Sequence, residues 1–213
     1  MKIQSGQTLL FIGDSITDAG RKRPVGEGDG LGGGYPSQVN ALLTATYPER
    51  RIRVLNTGIS GNRVPDLAGR WQTDVMDLKP DWLSIMIGTN DVWRQFDRPN
   101  NPELHVLPPQ FESIYTNLLR QTRPGLKGLI LLTPFLVEKN ESDAMRMRMI
   151  EYGKIVKKLS KEFKASFIDT QALYNDAMKY VEPKTLAGDR VHPSQIGHAV
   201  LTRGILKAID YRV

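Results

Sequence analysis

The sequence predicts an α/β protein, a three-layer sandwich in which a parallel sheet lies between two layers of helices. Two observations predict it. Short apolar runs alternate with longer amphipathic segments along the chain, and each run is apolar at nearly every position. Near-continuous apolar strands are typical of sheets that are covered on both faces. The alternation of strand and helix then requires right-handed crossovers between parallel strands.

Five apolar runs are the candidate strands, each short enough for a strand buried within a sheet. The first reads TLLFIG and ends on Gly13, where we expect a turn. In chain order the candidate strands are residues 8–13, 52–56, 82–87, 129–133 and 166–169.

Six amphipathic segments are the candidate helices. The second begins with a proline in its first turn, where the missing N–H costs nothing. The Ser142-Asp143 pair and Ser194 precede two others and are suitable N-cap residues. In chain order the candidate helices are residues 35–46, 65–78, 108–123, 142–163, 171–180 and 194–209.

The composition is that of one globular domain covering residues 1–213. Hydrophobic residues make up 40% of the chain and charged residues 24%, and we find no internal repeat or interdomain linker. Cysteine is absent, which excludes thiol nucleophiles, thiolate metal sites and disulfides.

The formal net charge of +6 raises the question of a nucleic-acid partner. The basic residues are scattered, and no nucleic-acid-binding motif accompanies them, so we expect no such partner. Charges interrupt every apolar stretch before it reaches the length of a membrane span or a secretory signal. We therefore expect a soluble, cytoplasmic protein that does not bind membranes.

Two long segments, 20–34 and 92–109, are predicted to be loops that cover or line a site. The first contains Gly28–Gly33, which fits the dinucleotide-binding pattern G-x-G-x-x-G. The preceding strand ends near Gly13, so the tight strand-turn-helix context of that pattern is missing. A flexible loop at the border of the active site or at a subunit interface is the favoured interpretation.

Ser15 follows the first strand directly, in the sequence Gly13-Asp14-Ser15. Ligand sites form at the carboxyl ends of parallel strands, so a serine here can be a nucleophile. Taken alone, this serine is more readily interpreted as a helix N-cap.

A second motif, Asp189-Arg190-Val191-His192, precedes the last candidate helix. A serine nucleophile needs a base, usually a histidine that a carboxylate orients, and these two side chains are three positions apart. The alternative is a capping aspartate beside a surface histidine. The other two histidines are less suitable, because His105 has no nearby acid and His198 lies inside a helical pattern.

Polar clusters also follow the second and third strands, at residues 58–62 and 88–91. The Gly61 N–H and the Asn90 side-chain amide are suitable donors to an oxyanion. Each cluster alone is equally well an ordinary turn. The predicted sheet, however, gathers the ends of its first three strands at one edge, which favours a shared site.

The four blocks GDSIT, ISGN, GTND and DRVHP resemble the SGNH or GDSL hydrolase family, in family order. The longer stretches LLFIGDSITDAGR, PDWLSIMIGTNDVWRQFD and DRVHPS are similar to intracellular acetylxylan esterases of Gram-positive bacteria. The resemblance implies a flavodoxin-like fold with five parallel strands in the order 2-1-3-4-5. It also implies that Ser15 is the nucleophile, that His192 is the base, and that Asp189 orients the histidine. The implied oxyanion hole is Ser15 N–H, Gly61 N–H and the Asn90 side chain, with no metal or other cofactor.

The implied activity is hydrolysis of acetyl esters of carbohydrates, in particular acetylated xylo-oligosaccharides. The alternative is a short-chain acyl-ester or thioester hydrolase with a lipid-derived substrate. Trp93 and Arg94 directly follow the Asn90 block, so they are candidate substrate-binding residues, although Trp93 is equally suited to packing a loop. Asp14 is a further candidate, with a structural role in the turn favoured. A non-catalytic scaffold is disfavoured because all four blocks are intact, and the resemblance implies a homo-oligomer.

Overall fold

The structure, a computed structural model, describes residues 1–212 and is built around a single mixed sheet. The strands are β1 (Thr8–Gly13), β2 (Gly26–Glu27), β3 (Arg53–Asn56), β4 (Trp82–Met86), β5 (Gly128–Leu132) and β6 (Ser166–Ile168). Their order across the sheet is β2-β3-β1-β4-β5-β6. All neighbours are parallel except β2, which runs antiparallel to β3.

The predicted order 2-1-3-4-5 is confirmed, because the five predicted strands are β3-β1-β4-β5-β6 in space. The predicted strand count of five is wrong, since β2 forms within the 20–34 segment. This strand has two residues, one of them glycine, so it carries no apolar pattern of its own. Pairing with β3 and an ion pair between Glu27 and Arg53 at 2.6 Å hold it in place.

The helices occupy both faces of the sheet. They are α1 (Ser15–Asp18), α2 (Tyr35–Thr46), α3 (Val64–Trp71), α4 (Thr89–Asp97), α5 (Pro108–Thr122), α6 (Ala144–Glu162), α7 (Thr170–Ala177), α8 (Pro183–Leu186) and α9 (Gln195–Ala208). One π-helical turn, Gln72–Met76, extends α3. The predicted caps of α6 and α9 are present, because Asp143 accepts from Arg146 N at 2.9 Å and Ser194 from Gly197 N at 3.2 Å.

The prediction that 92–109 is entirely loop is wrong, because α4 extends through Asp97. This helix is short, and of its four buried residues only Val92 is hydrophobic, so the segment does not have the apolar face of a core helix. Gly88, with φ +121, turns the chain from β4 into the helix, a conformation that favours glycine.

Alternate residues of each strand face opposite layers of helices. On β1, Leu10 and Ile12 belong to the cluster that includes residues of α3, α4, α5 and α6. Leu9 and Phe11 belong to the cluster that includes residues of α2, α7, α8 and α9. The two clusters fix the register of β1 between β3 and β4, so the carboxyl ends of these three strands lie side by side.

Candidate active site

Ser15 begins α1, immediately after the end of β1. The Asp14 side chain caps this helix by accepting from Ile16 N at 3.0 Å. Gly13 allows the close approach of β1 and β4, since a Cβ at this position would lie 2.3 Å from Met86 O. As the first residue of the helix, Ser15 has an N–H without an intrahelical acceptor. The half-buried serine therefore presents both its hydroxyl and its N–H at the edge of the sheet.

A hydrogen-bonded chain joins Ser15, His192 and Asp189. Ser15 Oγ lies 2.9 Å from His192 Nε2, and His192 Nδ1 lies 2.6 Å from Asp189 Oδ2. An ionised carboxylate only accepts hydrogen bonds, so Nδ1 carries the proton. In the neutral ring Nε2 is then the acceptor for the Ser15 hydroxyl. This tautomer is the one that a general base for serine requires.

Asp189 is held as a carboxylate by its own loop. Burial acts to raise the pKa of Asp189, but hydrogen bonds from the His192 ring and from the N–H groups of His192 and Val191 outweigh it, and the pKa lies below its ordinary value. Asp189 Oδ1 accepts those two N–H groups at 2.7 and 3.0 Å. The side chain therefore both shapes the loop and stays ionised at neutral pH.

Arg190, between the acid and the histidine, has a left-handed backbone with φ +72. Such a conformation is strained for a residue with a side chain. The surroundings hold it: Arg190 Nη2 donates to Asp143 Oδ2 at 2.8 Å, and Arg190 O accepts from Val137 N at 2.9 Å. The loop that carries Asp189 and His192 is therefore anchored to the residues before α6.

The Asn90 amide is fixed in one orientation. Its Nδ2 donates to Asn62 O at 3.1 Å, and its Oδ1 accepts from Arg94 Nη2 at 3.2 Å. A guanidinium only donates and a carbonyl only accepts, so the flipped amide would lose both bonds. One Nδ2 proton remains for a further acceptor. Asn90 thus lies beside the Asn62–Arg63 peptide as a fixed donor.

Gly61 lies in the turn that follows β3. Its φ of +83 favours glycine, and the residue is exposed. Within residues 1–212, the Gly61 N–H has no hydrogen-bond acceptor. Ile59 N donates to Gly13 O at 3.1 Å, which ties this turn to the end of β1 near Ser15.

Asp14 is fully buried, which corrects its place among the candidate substrate-binding residues. Burial raises the pKa of Asp14 to about 7. Asp91 is buried to the same degree, and burial raises the pKa of Asp91 to about 8, with the charge of Asp14 acting in the same direction. Asp91 Oδ1 accepts from Val64 N at 2.9 Å, so Asp91 joins α4 to the start of α3.

Trp93 lies next to the histidine, and Arg94 lies beside Trp93. The rings of Trp93 and His192 have their centres 5.8 Å apart, and Arg94 Cζ lies 5.3 Å from the centre of the Trp93 ring. Trp93 also packs against the apolar cluster beneath it. Substrate binding by these two side chains stays a prediction.

The other two histidines are engaged elsewhere. His198 is buried, its Nδ1 accepts from Tyr35 N at 3.2 Å, and burial lowers its pKa to about 4. The His105 ring contacts Arg98 O at 2.9 Å. His192 is therefore the histidine that this site offers as a base.

Several polar residues around the site were not predicted. Asp18 is nearly fully buried and accepts from Ser60 N and Ser60 Oγ, both at 3.0 Å, which joins α1 to the turn after β3. Arg70 also contacts this turn, by donating to the Asn62 side chain. In the sequence these residues have the pattern of solvated surface or ordinary turn, and only their distant contacts distinguish them.

The fold and this site define the class of protein. A serine, a histidine and an aspartate in a hydrogen-bonded chain, at the carboxyl edge of a mostly parallel sheet, are the arrangement of an α/β serine hydrolase. Among the described residues no cluster of histidine, aspartate and glutamate could hold a metal ion. In the same part of the chain, no helix has the length and apolar character that a membrane crossing requires.

Comparisons with known proteins identify the family. A sequence model of the GDSL-like lipase/acylhydrolase family matches residues 11–200. An acetylxylan esterase of Geobacillus stearothermophilus is 54% identical over 213 residues, which cover 99% of this chain and 97% of that protein. This chain belongs to the GDSL-like lipase/acylhydrolase family. The predicted family and the predicted enzyme class, a carboxylic ester hydrolase, are confirmed.

Solved structures agree with this assignment. The crystal structure of Axe2, an acetylxylan esterase from Geobacillus stearothermophilus, has a TM-score of 0.97 at 53% identity, and covers 100% of this chain and 98% of that one. LAE5, an α/β hydrolase enzyme from the metagenome of Lake Arreo, has a TM-score of 0.96 at 44% identity, over 99% and 98% of the two chains. Catalytic mutants of Axe2 have also been solved, with a serine, a histidine or an aspartate replaced by alanine.

Proposed function

We propose that this protein is a serine esterase that removes acetyl groups from carbohydrates, with acetylated xylo-oligosaccharides as its substrates. The observation that carries the proposal is the chain of hydrogen bonds from Ser15 Oγ through His192 to Asp189. The similarity to an acetylxylan esterase over nearly the whole chain supports the substrate class.

In the proposed reaction, Ser15 Oγ attacks the acetyl carbonyl while His192 Nε2 takes the hydroxyl proton. The charge on Asp189 stabilises the imidazolium that forms. His192 then gives the proton to the departing sugar oxygen, which leaves an acetyl group on Ser15. Water, activated by the same histidine, releases acetate and restores the serine.

The negative charge on the carbonyl oxygen of the tetrahedral intermediate requires donors that are already in place. We assign this role to Ser15 N–H, Gly61 N–H and Asn90 Nδ2. The Gly61 N–H, which has no acceptor in the described part of the chain, and the fixed Asn90 amide support the assignment. No step needs a cofactor.

An open site supports a polar, bulky substrate. The His192 and Asp189 side chains are 45% and 50% exposed, so the sugar that leaves can extend into solvent. The Trp93 ring, beside His192, offers a surface on which a sugar ring can stack, and Arg94 can donate to its hydroxyls.

The test compares acetylated xylo-oligosaccharides with butyryl and octanoyl esters, using the wild type and Ser15→Ala. We expect acetyl release from the sugar to be the fastest reaction and to be lost in Ser15→Ala. Faster cleavage of the longer acyl chains would contradict the acetyl-sugar assignment and favour a lipid-derived ester. A fluorophosphonate probe should label the wild type and leave Ser15→Ala unlabelled. Equal labelling of the two proteins would refute the assignment of Ser15 as the nucleophile.

We also propose that the protein is cytoplasmic and forms a homo-oligomer. Large apolar side chains exposed at the surface, including Phe96, Leu107, Met147 and Ile150, support assembly. The sequence resemblance to intracellular esterases supports the location. A monomeric mass by light scattering would contradict the first proposal, and activity confined to the culture medium would contradict the second.

A further inference from the structure

Arg70, on α3, contacts three separate parts of the chain near the proposed oxyanion hole. Its Nε donates to Asn62 Oδ1 at 2.7 Å, and its Nη2 donates to Gly13 O at 3.1 Å. Its Nη1 donates to Thr57 O at 2.6 Å and to Asp74 Oδ2 at 2.5 Å. The side chain is only 14% exposed. One guanidinium therefore joins the ends of β1 and β3 to the turn that follows β3.

Each proposed oxyanion donor is linked to a residue that Arg70 contacts. Two donors are near such a residue in the chain, and the third is hydrogen-bonded to one. Ser15 is two residues after Gly13, and Gly61 shares a peptide bond with Asn62. The Asn90 amide donates to Asn62 O. The contacts of Arg70 thus converge on all three donors, whereas none of them reaches Asp189 or His192.

The turn after β3 needs such support. Between Thr57 and Asn62 its backbone makes three bonds to other backbone groups, namely Thr57 N to Phe11 O, Ile59 N to Gly13 O and Asn62 N to Ile59 O. Side chains of Asn56, Asp18 and Arg21 hold the part at Gly58 and Ser60. At the far end of the turn, Arg70 holds the Asn62 side chain. The glycine at 61 adds conformational freedom. Donors stabilise a transition state only when they are fixed before charge develops. A small displacement of this turn would weaken two donors together.

Resting on the proposed esterase function, we propose that Arg70 is a positioning residue that sets the geometry of the oxyanion hole. It acts through Asn62 and Gly13 and does not touch the substrate. Asp74 balances its charge, so the contribution of Arg70 is geometric. Because the oxyanion is present in the transition state and absent from the bound ester, loss of Arg70 lowers kcat and leaves KM nearly unchanged.

Arginine is required here because of its shape. A lysine keeps the positive charge but has a single nitrogen, which cannot reach Asn62, Thr57 and Gly13 together. Arg70→Lys is therefore the informative variant. Arg123 is a matched control: its Nε donates to Phe163 O at 2.8 Å and its Nη1 to Leu126 O at 2.9 Å. These two bonds of Arg123 lie before β5, on the side of the sheet where the parallel strands begin and away from the proposed site.

The experiment measures kcat, KM and thermal unfolding for the wild type, Arg70→Lys, Asn62→Ala, the double variant and Arg123→Lys. We expect kcat of Arg70→Lys to fall about 10- to 100-fold with KM within about twofold, less than the ~10²–10³ lost with a whole donor. Arg123→Lys should keep wild-type kcat even where its Tm falls equally. The double variant should be little slower than the slower of the two single variants, because Arg70→Lys and Asn62→Ala remove the same hydrogen bond.

An unchanged kcat in Arg70→Lys, an equal loss in Arg123→Lys, or losses that multiply in the double variant would each overturn the proposal. Should Arg70→Lys not fold, an unchanged kcat in Asn62→Ala overturns it, and a lower kcat at constant KM supports it. The wild type distinguishes a failure of the esterase assignment from a failure of the role of Arg70. If fluorophosphonate fails to label the wild type, the esterase assignment itself fails, whereas a labelled wild type with an unaffected Arg70→Lys refutes only the role of Arg70.

Discussion

The two halves of the proposed active site are built in different ways. The base half, Asp189 to His192, is a short loop in which hydrogen bonds that span three residues or fewer join the acid to the histidine. Arg190 alone ties this loop to Asp143 and Val137. The oxyanion half is assembled from the ends of β1, β3 and β4, and residues far apart in the chain hold it together. Arg70 and Gly13, for example, are 57 positions apart. The difference teaches that the pairing of the acid with the base is set within one loop, whereas the positions of the oxyanion donors depend on contacts between distant parts of the fold.

This comparison predicts that changes in the base half affect chemistry with little effect on stability. His192→Ala should lower kcat by about 10⁴- to 10⁶-fold, as loss of the base does in other serine hydrolases. Because the histidine is exposed, the free energy of unfolding should change by only ~0.5 kcal/mol. Kinetics and urea unfolding of the same preparation check both statements. A large loss of stability in His192→Ala would show that the base half also supports the fold.

In the oxyanion half, chemistry and stability should fall together. Asn90→Ala removes one donor and should lower kcat by about 10²- to 10³-fold. Asn90 is buried and links Asn62 O to Arg94, so the free energy of unfolding should also fall by ~1–3 kcal/mol. The same two measurements apply. Wild-type stability in Asn90→Ala would remove the contrast between the halves.

Arg94→Met distinguishes two roles for Arg94, orienting Asn90 and binding the sugar. Without the bond to Asn90 Oδ1 the amide can flip, so kcat should fall about tenfold, less than for loss of the whole donor. If Arg94 instead binds a sugar hydroxyl in substrate and transition state alike, KM rises while kcat is unchanged. Steady-state kinetics on an acetylated xylo-oligosaccharide separate the two outcomes.

The last prediction concerns stability alone, through pH and the buried acid of the oxyanion half. Burial raises the pKa of Asp91 from 3.8 to about 8, so between these values the folded protein holds a proton that the unfolded chain releases. The contribution of Asp91 to stability is therefore complete below pH 3.8 and is lost as the pH rises towards 8. In Asp91→Asn this loss is absent.

The stability of Asp91→Asn relative to the wild type should therefore increase from pH 5 to pH 8. The limit for one proton is ~1.4 kcal/mol per pH unit. Urea unfolding at several pH values measures the difference, and Asp14 is present in both proteins. Parallel pH curves for the two proteins would contradict a protonated, buried Asp91.

The contrast also explains how much of the molecule could be predicted from its sequence. Apolar runs placed five strands and their order followed from the family resemblance, because these features depend on local pattern and on motif order. Asp189 and His192 were found because their spacing within one loop is itself the signal. The roles of Asn62 and Arg70 could not be found, since side-chain contacts with distant backbone carbonyls leave no local pattern. The helix α4 was missed for a related reason, because its inner face is mainly polar.

Strand β2 has a consequence for how molecules of this protein can meet. Without it, β3 would be the last strand of the sheet, with its backbone groups free to pair with another chain. Two residues, Gly26 and Glu27, take up that pairing, and the charged Glu27 and Arg53 lie beside it. Edge-to-edge growth of the sheet, the first step of many aggregates, is therefore discouraged on the β3 side.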